Sequence, residues 1–259
     1  MILRDSKRTP AALAALAMLS ALAGLASAAA CSPETNATVK KPASDAGDDD
    51  ERDTSDPSTT QPNPDSGLGE LLVRPARLYS GFDGTHTFTV PVAVYDSAGD
   101  LTLTADDPSA VEIKPKELAN PVRQDGTTDN GKYFFVTAKK AGSIKLTAKS
   151  GGKTAEAQLT VTSYAPQRWQ VGETRYKNAS GSEPACANCH VNGNAIDNSP
   201  AALATATDDA IGVVITTGIS TAGFPIRIDG KPGHRWTVDE TVSAGLVTYL
   251  RSLEPRGYK

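Results

Sequence analysis

Between residues 71 and 165 the chain is a succession of short β-branched and aromatic runs, and this restricts its fold more than any other feature. Thr87-Phe88-Thr89-Val90-Pro91-Val92-Ala93-Val94-Tyr95 is the longest, and Leu101-Thr102-Leu103-Thr104 alternates strictly. Val111-Glu112-Ile113 and Tyr133-Phe134-Phe135-Val136 follow, then residues 143–148 and 157–161. Such runs, bounded by Gly, Pro, Asn and Asp, read as strands. Gly151-Gly152 between the last two marks a hairpin turn, because both central positions of such a turn require positive φ. About seven short strands over a segment of this size predict a β-sandwich. The segment has no cysteine, so it contains no internal disulfide.

Composition divides the remainder. Arg4, Lys7 and Arg8 precede an apolar run, Ala11 to Ala30, which closes on small residues before Cys31. This is the layout of an export signal over residues 1–30. Ala28-Ala29-Ala30-Cys31 resembles a bacterial lipobox, with Ala28 where Leu is usual, which makes Cys31 the candidate lipidation residue. With Ser32 after it, outer-membrane sorting is the expectation. Residues 31–70 read as a lipidated, disordered linker, rich in Pro, Ser, Thr and Asp and too polar to offset chain entropy by burial. Residues 32–70 hold ten acids against three bases, whereas the remainder of the chain beyond them carries a net charge of only about +1 within the total of -4. A near-neutral globular part gives no footprint for nucleic acid.

The third feature is Cys186-Ala187-Asn188-Cys189-His190, a CxxCH pentad, the spacing that attaches a c-type haem. Two thiols three positions apart can reach two vinyl groups of one haem, and the next imidazole can bind its iron. A CxxC pair also serves as a redox dithiol or as half of a zinc site. Only Cys31 remains to complete a zinc site, and no βαβ pattern surrounds the pair.

Two resemblances follow from these residues. Residues 141–161, with their glycine turn and Leu159-Thr160-Val161, resemble bacterial immunoglobulin-like domains. Residues 166–259 resemble a class I cytochrome c. Gly172 and Tyr176 lie on one face of a predicted helix before the pentad, and Gly245-Leu246-Val247-Thr248-Tyr249-Leu250-Arg251-Ser252-Leu253 resembles that family's last helix. The resemblance implies that Leu246 and Tyr249 pack on Gly172 and Tyr176, that Pro200 offers its carbonyl to His190, and that one haem c per chain is bound by Cys186 and Cys189 with His190 as proximal iron ligand. A distal methionine is excluded, because only Met1 and Met18 exist, both in the signal segment; His234 is then the candidate distal ligand, beside a five-coordinate iron or a lysine or hydroxide in the sixth position. Arg227, Arg235 and Trp236 are candidates for holding the propionates. Thr237 and Glu240 form a predicted capping box, and Thr207 and Gly218 are expected to bound a helix.

The expected fold is therefore multidomain: an immunoglobulin-like β-sandwich over 71–165 and an all-α cytochrome c domain over 166–259. The expected function is that of an electron carrier, not an enzyme, serving other redox proteins of the bacterial envelope and held to the membrane through its lipid anchor. Two alternatives stand beside it: a haem sensor or haem enzyme with an open distal site, and a surface binding or adhesion lipoprotein that uses the sandwich.

Overall fold

The computed structural model describes residues 69–190, 197–226 and 234–259, all within one compact unit. Eight strands come first: β1 (Leu72–Arg74), β2 (Arg77–Phe82), β3 (Thr89–Tyr95), β4 (Thr102–Ala105), β5 (Val111–Lys116), β6 (Lys132–Ala138), β7 (Gly142–Ser150) and β8 (Lys153–Ser163). Five helices follow: α1 (Gln167–Lys177), α2 (Ala187–His190), α3 (Pro200–Leu203), α4 (Asp208–Thr217) and α5 (Glu240–Arg251). The strands form two four-stranded sheets, β1-β3-β6-β5 and β2-β8-β7-β4. With its first strand split into β1 and β2, this is the ABED and CFG arrangement of an immunoglobulin-type sandwich. The pairing is antiparallel except for β2 with β8, which run parallel.

The two sheets differ in how their strands are written. In β7 and β8 buried and solvent-facing residues alternate, so the second sheet has one covered face and one wet face. In β3 every residue from Thr89 to Val94 is buried, so both faces of the first sheet are covered there. Leu78, Val90, Val92, Val94, Val136, Leu146 and Leu159 form the core between the sheets, each with no measurable exposure.

The outward face of the first sheet is covered by the C-terminal part of the chain. Tyr258 sets its ring edge-on to Tyr133 and Phe135, at 5.6 and 5.0 Å between centroids. Burial pushes its phenol up to about 12. The tail is held alongside β5 by Ala119 N–H donating to the Gly257 carbonyl and Lys259 N–H donating to the Glu117 carbonyl.

A second junction closes the edge of the other sheet. Tyr79 in β2 donates its N–H to the Ala204 carbonyl at 2.8 Å, and its own carbonyl accepts from Arg251. Arg251 is 1% exposed. Its guanidinium also donates to the carbonyls of Leu203 and Ala206 and twice to Asp208 Oδ1. Tyr164, at the end of the sandwich, donates to the other oxygen of Asp208 at 2.7 Å. Ala204 itself joins the sandwich core. An exposed sheet edge is a template for unwanted pairing; here a buried arginine and a short helix occupy it.

The expectation of an all-α cytochrome c domain over 166–259 is thereby corrected. The described chain is mainly β-sheet, α2 and α3 are single turns of four residues each, and the helices are bonded into the sandwich at its edge and outward face.

Candidate functional site

The long helices α1 and α5 cross at two glycines. A Cβ on Gly172 would lie 1.9 Å from the Gly245 carbonyl oxygen, so the backbones touch. Tyr249 packs beside them, 5.1 Å from the ring of Tyr176, and Leu246 and Ile215 complete this smaller core. Asp239 caps α5 by accepting from Val242 N–H at 2.8 Å, so the cap is not the predicted Thr237 box. Thr207 caps α4 and Gly218, at φ +69°, ends it.

Arg175 organises the approach to the pentad. It is buried, donates to the carbonyls of Asn178 and Pro184, pairs with Glu183 at 3.1 Å, and lies 5.2 Å from the centre of the Trp236 ring. The other oxygen of Glu183 accepts from Thr237 N–H at 2.7 Å. This brings the segment before α5 against the segment before α2. Cys186 packs into the smaller core, and burial pushes its thiol up against a lowering effect of Arg175. The His190 carbonyl accepts from Arg256 at 2.8 Å.

His190 and His234 do meet, with ring centres 5.9 Å apart and planes perpendicular at 89°. His234 is positioned by its N–H, which donates to the Ile226 carbonyl at 3.1 Å, and by Gly218, where a Cβ would strike the His234 carbonyl. Its Nδ1 is buried with no hydrogen-bond partner among the described residues. Burial, then the neighbouring His190, holds its imidazole below the usual range. A histidine whose folded pKa is depressed takes up its proton first in the unfolded chain. Stability should therefore fall as pH drops below about 6.5, the ordinary value, until the folded pKa is reached. His234→Phe should flatten the slope of unfolding free energy against pH in that window, measured by urea titration.

Cys186 is a free thiol packed into the smaller core. The Pro200 carbonyl, expected to face His190, accepts instead from Ala204 N–H within α3. Among the described residues no group of three or more His, Cys, Asp or Glu side chains could hold a metal ion. The class I cytochrome c resemblance and its all-α domain are corrected on these grounds: the described chain is mainly β-sheet with few short helices, and no three-ligand metal cluster forms among the described residues. Cys31 and Arg227 lie outside the described residues. His86 sits elsewhere, bonded to Asp83 at 2.6 Å and stacked on Trp169 at 3.9 Å, a packing role between sandwich and α1.

What remains open is the outward face of the second sheet. Thr102 of β4 stands opposite Lys149 of β7, itself opposite Thr154 of β8. Lys145 stands opposite Gln158, which faces Arg77 of β2. All of these except half-buried Gln158 are exposed.

No protein-family model matches the chain, and no curated protein matches it. Similar solved structures include domains 4 and 5 of the S-layer protein SbsC, at 18% identity over 36% of this chain and 44% of that fragment, with a TM-score of 0.26. The M1 domain from titin is 7% identical over 36% of this chain and 93% of that domain, TM-score 0.24. The Yersinia pseudotuberculosis adhesin InvE is 17% identical over 36% of this chain and 26% of that chain, TM-score 0.19. The chain thus spans less than half of the SbsC fragment. Among the described residues no helix is long and apolar enough to cross a membrane.

Proposed function

We propose that this chain is an exported, non-catalytic binding protein of the bacterial cell surface, presented on an acidic tether and using the immunoglobulin-type sandwich to engage its target. The observation that carries this reading is the unequal treatment of the two sheets. One outward face is closed by the C-terminal tail, and one sheet edge is closed by Arg251 and Ala204, while the outward face of the second sheet stands open. The export signal and the polar segment over 31–70 support display away from the membrane. The near-neutral charge beyond residue 70 argues against nucleic acid as the target.

The test is co-sedimentation of the mature chain, residues 31–259 made without lipid in an oxidising compartment, with isolated bacterial envelopes. Saturable binding is expected. Protein that stays in the supernatant at every concentration would remove the reading.

A further inference from the structure

The open face narrows the chemistry of the target. Along β4, β7, β8 and β2 its side chains are hydroxyls, an amide and charges, with Tyr79 the one aromatic. Protein interfaces place apolar and aromatic side chains at their centre, and this face has no apolar centre to offer. Serine, threonine and glutamine both donate and accept hydrogen bonds, which suits a partner whose surface is itself a sequence of hydroxyls. Ser143 and Gln158 bond at 2.8 Å and Thr104 bonds the Thr147 carbonyl, so the array is held in place by its own neighbours.

The charges are of one sign once pairs are discounted. Lys145 is matched by Glu156 at 3.2 Å, the one carboxylate on the face. Lys153, at the turn, donates to the Gly69 carbonyl. Arg77 and Lys149 have no carboxylate partner among the described residues, and both are exposed. Lys149 lies four residues along β7 from Lys145, about 13 Å, and Arg77 lies two strands across from Lys145, about 10 Å. Two separated, unmatched cations on a flat field of hydroxyls fit an extended polymer with intermittent negative charge better than a compact ligand.

We infer that the outward face of the β2-β8-β7-β4 sheet docks an acidic polysaccharide, a glycan chain carrying uronate carboxylates. This rests on the surface-binding reading above. Arg77 and Lys149 attract the carboxylates, and the Thr, Ser and Gln side chains meet the sugar hydroxyls between them. The chain's own acidic stretch, Asp48-Asp49-Asp50-Glu51, is the competing occupant.

The experiment measures binding of polygalacturonate, with dextran and polyphosphate as comparators, to the mature chain. Expected is salt-sensitive binding of polygalacturonate, none of dextran, and weaker binding of polyphosphate. Arg77→Glu with Lys149→Glu should weaken polygalacturonate binding at least tenfold, because charge reversal replaces attraction by repulsion at two exposed points. Lys114→Glu with Lys177→Glu makes the same change in net charge away from the face and should leave binding unaltered. Equal binding by the two double variants would overturn the proposal, as would preference for polyphosphate. Binding that emerges only when residues 48–51 are changed to their amides would overturn it in favour of the chain's own tether. If envelope co-sedimentation survives in the Arg77/Lys149 variant while polygalacturonate is never bound, the glycan inference fails and the surface-binding reading stands; if the parent chain fails to co-sediment, the reading itself fails.

Discussion

Arg251→Met should destabilise the protein by about 3 to 5 kcal/mol, the range for removing one partner from a buried charged network. The methionine fills much of the space but donates nothing. The carbonyls of Tyr79, Leu203 and Ala206 would lose their shared donor, and Asp208 its counter-ion. Unsatisfied buried acceptors cost about 1 to 3 kcal/mol each, while Asp208, being partly exposed, recovers some solvation. Urea unfolding followed by both tryptophan fluorescence and far-ultraviolet dichroism checks this. Because one side chain links α5, α3, α4 and β2, the transition should also broaden or split, the helices loosening before the sheets. Arg251→Lys should lie between, since an ammonium lacks the planar fork that reaches several acceptors at once.

Gly172→Ala should be the second large effect, and its sign runs against helix propensity. In an open helix this change gains up to about 1 kcal/mol. Here the new methyl would lie 1.9 Å from the Gly245 oxygen and 2.8 Å from Tyr249 Cβ, with backbone rather than a flexible side-chain end in the way. The helices must separate, and overpacking of this kind costs about 1 to 3 kcal/mol. A net loss of about 2 kcal/mol is expected. Gly212→Ala in α4 is the control: its methyl would meet only Ser243 Oγ at 3.5 Å and should stabilise. If both glycines behaved alike in thermal unfolding, the close crossing of α1 and α5 would be wrong.

Much of the sandwich was legible because its strands announce themselves locally. Periodicity marked β3 to β8, and the positive φ values of Gly151 and Gly152 match the predicted hairpin. β1 and β2 were not marked. They are short, Pro75 interrupts them, and β2 pairs in parallel with β8, far along the chain, which no local pattern encodes. The helix crossing could also be read, since a glycine with an aromatic four residues on points to close packing; yet that packing serves any two helices and does not by itself imply haem. The pentad was the weaker guide to fold: it records local spacing, and nothing in it tells that the helices around it are bonded to a sheet edge. Arg251 gave no signal either. An arginine in the last turn of a helix reads as a favourable charge near the carbonyl end, and nothing local tells that it will be buried against a sheet edge.

The claim most in need of direct measurement is that the second half of the chain is a packed extension of the sandwich and not a haem carrier. The protein should be exported from cells that possess the haem-attachment machinery, alkylated in denaturant before and after reduction, digested and mapped by mass spectrometry, with a visible spectrum taken beforehand. Expected are no haem absorbance and a peptide over residues 186–190 in which Cys186 is alkylated without reductant. A peptide carrying both Cys186 and Cys189 in thioether linkage to haem would contradict it.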